Sequence, residues 1–165
     1  MNRRWRGPAA GLAIAALALV ALAGLTGGDK APVLEVRGPD GALLTSVPLP
    51  DERFTLRYRN SVYRSLAEED YRIDPDGMIR LTSLAADEIA VLEEYYAIDE
   101  PAWPAAGGDR AWRASPARTV VIDRLTVAAT DLGRRVLLVD GRPVLELWPL
   151  VHDRSPSVHL EVVRR

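Results

Sequence analysis

Short runs of alternating apolar and polar residues, separated by turn residues, dominate the chain from Val33 onward. Alternation with a period of two is typical of β-strands that bury one face, and Gly, Pro and Asp between the runs mark turns. We therefore predict an all-β domain, a small antiparallel β-sandwich or barrel of roughly ten strands. The runs are VLEVR, ALLTSV, FTLRYRN, EEDYRI, MIRLTSL, RTVVIDR, LTVAAT, RRVLLV, VLELW and VHLEVV.

One segment has helical periodicity instead. In SLAADEIAVLEEYYAI the apolar residues Ile89, Leu92 and Tyr96 recur at helical spacing, and Ser83 suits the N-cap. We predict one short helix here. The stretch that follows, 99–117, contains three prolines and two adjacent glycines, so we predict a long irregular connection.

Two further turns are marked by their residue types. Asp140-Gly141 separates RRVLLV from VLELW and suits a type I′ hairpin, because both central positions of that turn need positive φ. Asp74-Pro75-Asp76-Gly77 contains fragments of a calcium-binding loop, but the downstream bidentate Glu of that motif is missing. We therefore predict an ordinary turn there and no metal site.

The first 28 residues have the order of a segment that is handed to the secretion machinery. Three arginines within the first six residues precede an almost purely apolar run of 17 residues, Ala9–Leu25. This length is just enough to span a bilayer, so we predict a signal peptide or transmembrane anchor over 1–28, and favour the anchor. A linker over 29–32 and an extracytoplasmic β-domain over 33–165 follow. The protein would be a single-pass protein of the cell membrane, or secreted if cleaved after Ala23.

The charge balance argues against nucleic acid as a partner. Without the three N-terminal arginines, the 21 basic residues fall to 18, against 23 acidic residues, so no basic surplus remains to neutralise phosphates. The chain has no cysteine and only two histidines, which excludes thiolate chemistry and disfavours a histidine-rich metal site. We predict no cofactor.

The runs FTLRYRN and EEDYRI are predicted to pair as a hairpin, with a turn near Val62 to Ala67. A register that aligns apolar with apolar residues brings Asn60 opposite Glu69, at the inner mouth of the hairpin. There the amide can donate to a carboxylate that is otherwise costly to bury. The pair is either a structural hydrogen bond that locks the turn or part of a polar pocket. Our candidate binding residues are Asn60, Ser61, Glu69 and Tyr71, and no residue is assigned a catalytic role.

The string FTLRYRNSVYRSLAEEDYRI, followed by an Asp-Gly turn and VLEEYYA, resembles the bacterial family catalogued as domain of unknown function 1850. Of that family's pattern, Ser61, Val62, Glu69 and Tyr71 match, whereas Asn60 stands where the family has histidine. Leu66-Ala67 stands where the family often has Pro-Val. The resemblance implies a small extracytoplasmic β-domain of uncharacterised activity, often encoded beside tripartite periplasmic transporters.

These observations predict a membrane-anchored, extracytoplasmic accessory or binding component. They favour a non-enzymatic role over an enzymatic one. The resemblance implies association with a solute transporter of the tripartite periplasmic type, with its permease or its solute receptor as the partner. Two alternatives stay open. One is a small hydrolase-like enzyme that uses Glu69 with Ser61, and the other is a purely structural envelope domain.

Overall fold

The computed structural model describes residues 31–107, 109–152 and 154–164, and this part of the chain is mostly β-strand. The predicted signal or anchor segment, 1–28, lies outside these residues. A short π-helix spans Val91–Tyr95, and one 3-10 turn spans Trp148–Leu150. The strands are β1 (Val33–Arg37), β2 (Leu43–Pro48), β3 (Arg53–Arg59), β4 (Leu66–Ile73), β5 (Ile79–Ala86), β6 (Trp103–Pro104), β7 (Trp112–Ala114), β8 (Val121–Ile122), β9 (Arg124–Ala128), β10 (Val136–Val139), β11 (Arg142–Glu146) and β12 (Ser157–Val163).

The strands form two antiparallel sheets. The smaller sheet has the order β2-β1-β12-β9, and the larger has the order β11-β10-β3-β4-β5-β7-β6, with β8 paired to the first residues of β5. The all-β prediction is therefore confirmed, with twelve strands in the described residues rather than roughly ten. Two separate sheets are consistent with the sandwich alternative.

The main hydrophobic core lies between the two sheets. Leu34 and Leu160 from the smaller sheet and Leu56 and Leu137 from the larger one are fully buried in a single cluster. Truncating such a buried leucine to alanine typically costs about 2–5 kcal/mol. This burial fixes which face of each strand points inward.

A second, smaller core holds the π-helix against the larger sheet. Val91 and Leu92 of the helix are fully buried against Tyr58 of β3, Ala67 of β4 and Leu84 of β5. Tyr58 lies on the same face of β3 as Leu56, because alternate residues of a strand share a face. The helix therefore covers one end of the inward face of the larger sheet.

The β3–β4 hairpin forms as predicted, but its predicted register is wrong. Each β3 residue pairs four positions earlier in β4 than expected, so Leu56, and not Asn60, lies opposite Glu69. The shift is even, so the same residues of each strand face inward in both registers. The physical reason is better pairing: Arg57 faces Glu68, with Nε 2.7 Å from Oε1.

The shifted register also shortens the turn. Leu66 and Ala67, which we placed in the turn, belong to β4, and Ala67 is fully buried. The remaining loop, residues 60–65, closes through Arg64 N donating to Asn60 O at 2.8 Å and Asn60 N donating to Ser65 O at 2.9 Å. Arg64 has a φ of +55°. A non-glycine residue in this conformation is uncommon, so the sequence carried no signal for so short a loop.

The predicted helix begins later than expected, and Ser83 does not cap it. Strand β5 continues to Ala86 because β4 and β7 pair with its two edges, and these pairings outweigh the local helical pattern. Ser83 lies opposite Asp70, and its hydroxyl accepts a hydrogen bond from Arg113 at 3.1 Å. Strands β6 and β7 likewise fall within 99–117, which we predicted to be irregular.

Both predicted turns are confirmed. Asp140 and Gly141 have φ values of +51° and +72°, as a type I′ hairpin between β10 and β11 requires. At 74–77, Gly77 N donates to Asp74 O at 2.9 Å, and the Asp74 carboxylate binds Arg80.

Within the described residues, no helix has the length and apolar character needed to cross a bilayer.

Candidate binding site at the loop end

Asn60 organises the loop between β3 and β4. Its Oδ1 accepts hydrogen bonds from the backbone N–H groups of Val62 at 3.0 Å and Tyr63 at 3.1 Å, and the residue is only 4% exposed. An Asn side chain that binds the backbone two and three residues ahead stabilises a turn. Asn60 therefore positions Ser61 and Val62 at the tip of the loop, both of them exposed.

A second loop of the same design, residues 129–135, lies beside the first. Arg134 N donates to Thr130 O at 2.9 Å, Gly133 N donates to Thr130 Oγ1 at 3.0 Å, and Arg134 has a φ of +43°. The two loops are joined where Arg59 N donates to Gly133 O at 2.8 Å. We call the surface formed by residues 59–65 and 128–135 the loop end.

A small cleft opens at the loop end, with a volume of about 150 Å³. Two of the residues that line it are exposed, Leu132 at 61% and Tyr95 at 59%, and Val62, next to the lining residue Ser61, is 76% exposed. Such exposure at neighbouring positions is unusual for a surface that contacts only water. The residues that line the cleft include Tyr58, Asn60, Ser61, Leu132, Gly133 and Arg135.

Glu69 lies deeper, on the inward face of β4, and is bound by phenols. Tyr96 donates to Glu69 Oε1 at 2.6 Å, and Tyr71 donates to Oε2 at 3.0 Å. The Tyr58 hydroxyl lies 2.7 Å from that of Tyr96. Because the single proton of Tyr96 goes to Glu69, Tyr58 must be the donor in this pair. Both carboxylate oxygens of Glu69 are thus engaged.

The environment keeps these phenols protonated. Burial raises the pKa of Tyr58, and burial followed by the negative charge of Glu69 raises the pKa of both Tyr71 and Tyr96. A phenol with a raised pKa remains a hydrogen-bond donor across the neutral range. The cluster is therefore suited to holding a carboxylate in place rather than to moving protons.

Arg135 lies between this cluster and the cleft. Its guanidinium carbon is 4.7 Å from the centroid of the Tyr58 ring, and its Nη1 donates to Ala128 O at 3.0 Å. Its Nε is buried without a hydrogen-bond acceptor among the described residues. A buried donor without a partner is costly and calls for an explanation.

The arginines of the loop end differ from those of the outer face of the larger sheet. Arg59 and Arg134 direct their Nε groups to backbone carbonyls at 3.3 Å. Within the described part of the chain, none of the four arginines of the loop end forms an ion pair; they are Arg59, Arg64, Arg134 and Arg135. The loop end has four arginines and one acidic residue of its own, Asp131, and Glu94 of the π-helix accepts a hydrogen bond from its Tyr63. Its charge balance is therefore positive, on a chain of formal charge -2.

On the outer face, in contrast, Arg57 and Arg113 are paired with carboxylates, whereas Arg53 at the start of β3 forms no ion pair within the described residues. Arg57 pairs with Glu68 at 2.7 Å and Arg113 pairs with Asp70 at 3.1 Å. A larger open groove of about 840 Å³ lies on this sheet, lined in part by Asp70 and Tyr71. Asp70 also accepts a hydrogen bond from Thr55 at 2.8 Å. Because Asp70 of this groove already binds Arg113 and Thr55, we take the loop end as the better candidate binding site.

The structure divides the four predicted site residues. Asn60 and Ser61 line the cleft, Tyr71 lines the larger groove, and Glu69 lines neither. The predicted hydrogen bond between Asn60 and Glu69 is wrong, because Asn60 binds its own loop and Glu69 lies opposite Leu56. Ser61 and Glu69 are not hydrogen-bonded to each other.

Sequence reasoning missed Arg135 and Leu132, which lie far from the hairpin along the chain. The only sequence feature that could have indicated them as site residues is the segment DLGRR, a Gly-containing loop between two strands with an apolar residue and two arginines. No group of three metal-ligating side chains occurs in the described ranges.

The chain matches no protein-family model, no curated protein and no solved structure. The resemblance to domain of unknown function 1850 therefore stays a prediction.

Proposed function

We propose that this protein is a non-enzymatic binding domain, anchored outside the cytoplasm by its N-terminal segment, whose loop end contacts a partner. The observation that supports this most is that Leu132 and Tyr95, which line the cleft, and Val62, next to the lining residue Ser61, are exposed beside arginines without carboxylate partners in the described residues. Apolar anchors surrounded by arginine are typical of protein interfaces. The other large exposed apolar side chains lie on the edge strands β2, β6 and β11.

The strand directions support a partner on the side away from the membrane. Val33, where the domain begins, pairs with Val163 at one end of β12, whereas Ala128 pairs with Ser157 at the other end. A seven-residue strand such as β12 spans roughly 20 Å. If residues 1–28 span the membrane, the linker 29–32 reaches at most roughly 14 Å. The loop end then faces the extracytoplasmic space and not the lipid.

The partner's identity rests on the resemblance stated above. It implies a solute transporter of the tripartite periplasmic type, so we propose its permease or its solute receptor as the partner. A purely structural envelope domain would close its hairpin end, and the cleft with its exposed apolar rim argues against that role. The enzyme alternative needs Ser61 and Glu69 within reach of each other, but both oxygens of Glu69 bind phenols.

Affinity purification of the full-length protein from crosslinked, gently solubilised membranes tests the proposal. A V62D/L132D variant places charge on the loop end, and V144D on edge strand β11 is the matched control. The proposal expects recovery of a permease or solute receptor with the unmodified protein and V144D, and its loss with V62D/L132D. Equal recovery with all three would contradict the loop end as the contact surface.

A further inference from the structure

We propose that a pocket beside the cleft receives an acidic side chain of the protein partner, with its carboxylate bound by Arg59 and Arg64. This inference rests on the proposed function and adds the chemistry of the partner's contact segment. The pocket has a volume of about 410 Å³, and it is lined by Arg59, Ser61, Arg64 and Leu132. All four residues are exposed, so a partner can reach them from solution.

The two arginines of the pocket are tied to the loops but not to a carboxylate. Arg59 N donates to Gly133 O at 2.8 Å, and Arg59 Nε donates to Arg64 O at 3.3 Å. Neither arginine forms an ion pair within the described residues. Two like charges on one short loop repel each other, and a bound anion offsets this repulsion. A carboxylate suits the site because a guanidinium can bind both of its oxygens.

Arg64 occupies a backbone position where arginine is unusual. Its φ is +55°, a left-handed conformation that glycine adopts without steric cost and other residues adopt rarely. Non-glycine residues in sparsely populated conformations cluster at active and ligand-binding sites. The loop therefore carries a guanidinium at a position where glycine would be the less strained residue. A binding role for the side chain accounts for this choice.

Nearby acidic residues limit where a partner's carboxylate can lie. Asp131 is exposed in the adjacent loop, and Glu93 and Glu94 are exposed on the π-helix. Glu94 accepts a hydrogen bond from Tyr63 of the loop end. None of the three acidic residues lines the pocket. We therefore expect the partner's carboxylate at the pocket and not over the π-helix.

Leu132 gives the pocket an apolar wall. It is 61% exposed and lines both the pocket and the cleft. The aliphatic stems of the arginines add apolar surface, so an apolar residue of the partner can pack beside its carboxylate. An ion pair that is shielded from water by such packing is stronger than an exposed one. We therefore expect a contact segment in which an acidic residue adjoins an apolar one.

The test is a nuclear magnetic resonance titration of the full-length protein in detergent micelles, with ¹⁵N-labelled arginine. The probe is the peptide acetyl-Ala-Glu-Leu-Glu-Ala-amide, and its neutral counterpart has glutamine in place of glutamate. We expect the glutamate peptide to bind roughly fivefold more tightly than the glutamine peptide. It should shift the Nε–Hε resonances of Arg59 and Arg64 at least threefold more than that of Arg57, which Glu68 already holds. Equal affinity of the two peptides, including no binding of either, would overturn the proposal.

Arg64→Gly is the decisive variant, and Arg134→Gly is its matched control. Arg134 also has a positive φ, of +43°, but it does not line the pocket. Glycine suits both backbone positions, so we expect both variants to fold, which circular dichroism checks. Arg64→Gly should weaken binding of the glutamate peptide roughly fivefold, whereas Arg134→Gly should bind within about twofold of the unmodified protein. Equal weakening in both variants would mean a general charge effect and would sink the pocket as the site.

No transporter protein is present in this titration, so the two proposals can fail separately. If the peptide result is negative but the affinity purification still recovers a partner that V62D/L132D loses, the acidic segment is wrong and the proposed function stands. If the peptide binds as expected but no partner is recovered, the pocket is supported and the proposed partner is contradicted.

Discussion

The Tyr96 hydroxyl lies 2.6 Å from Glu69 Oε1 and links the short π-helix to the inward face of β4. The same hydroxyl accepts a hydrogen bond from Tyr58 of β3 at 2.7 Å. This one side chain therefore ties the helix to two strands directly behind the cleft. The consequence is that the loop end rests on a polar cluster whose members are all mutually satisfied.

Replacing Tyr96 with phenylalanine should destabilise the domain. The change removes the donor to Glu69 and the acceptor for Tyr58 together, so we expect a loss of about 1–3 kcal/mol in the free energy of unfolding. Urea denaturation measures this. Tyr95→Phe, at the exposed neighbouring position, is the control and should change stability by less than about 0.5 kcal/mol. Equal stability of both variants would mean that the cluster contributes little.

Replacing Glu69 with glutamine should lower stability but leave partner recovery unchanged. One carboxylate oxygen becomes an NH₂ group that faces a phenol donor, and we expect a cost of about 1–2 kcal/mol. Urea denaturation and the affinity purification described above measure the two effects. Loss of a catalysed reaction at unchanged stability would instead favour the enzyme alternative.

Replacing Asn60 with alanine should cost about 1–2 kcal/mol, because two backbone N–H groups of the loop lose their acceptor. Ser61→Ala is the matched control and should be nearly neutral in stability. Thermal unfolding of each variant tests this. If Asn60→Ala were as stable as Ser61→Ala, the capping role of Asn60 would be wrong.

Histidine at position 60, the residue that the resemblance places there, should make stability depend on pH. A neutral imidazole nitrogen can accept the hydrogen bonds that Asn60 accepts, but the protonated ring has no acceptor. The pKa of this histidine should therefore be lower in the folded than in the unfolded chain, and stability should rise with pH. We expect Asn60→His to be less stable at pH 5 than at pH 8, relative to the unmodified protein. A constant difference between the two would contradict this.

The buried phenols should make the domain sensitive to alkali. Tyrosine ionises near pH 10 in the unfolded chain, but the pKa values of Tyr58, Tyr71 and Tyr96 are raised in the folded one. Above pH 10 the unfolded state therefore binds fewer protons, and the free energy of unfolding falls as pH rises. Each such tyrosine contributes a slope of up to about 1.4 kcal/mol per pH unit. Denaturation between pH 8 and 11 should give a shallower slope for Tyr71→Phe, and an unchanged slope would refute this cause.

The all-β class could be predicted because burial imposes a period of two on each strand. In β3, Phe54, Leu56 and Tyr58 are buried and Arg53 and Arg59 are exposed, and this alternation is visible without coordinates. The type I′ turn at Asp140-Gly141 was equally visible, since few residue pairs suit it. Local chemistry decides both features.

The register and the site could not be predicted because contacts between distant segments decide them. The predicted register failed by four residues because the pairing of Arg57 with Glu68 favours a shorter loop, in which Arg64 adopts positive φ without being glycine. Nothing local marks this conformation. The cleft depends on a hydrogen bond from Arg59 to Gly133, between loops that are far apart in sequence. Ser83 failed as a cap because β7, from a stretch rich in Pro and Gly, pairs with β5.

The most direct test of the account is site-specific photocrosslinking of the full-length protein in its native membrane. A photoreactive residue at position 62, on the loop end, is compared with one at position 144, on β11. The account predicts a crosslink to a transporter permease or solute receptor from position 62 and none from position 144. A crosslink from position 144 alone, or only lipid adducts at position 62, would contradict the claim that the loop end faces a protein partner.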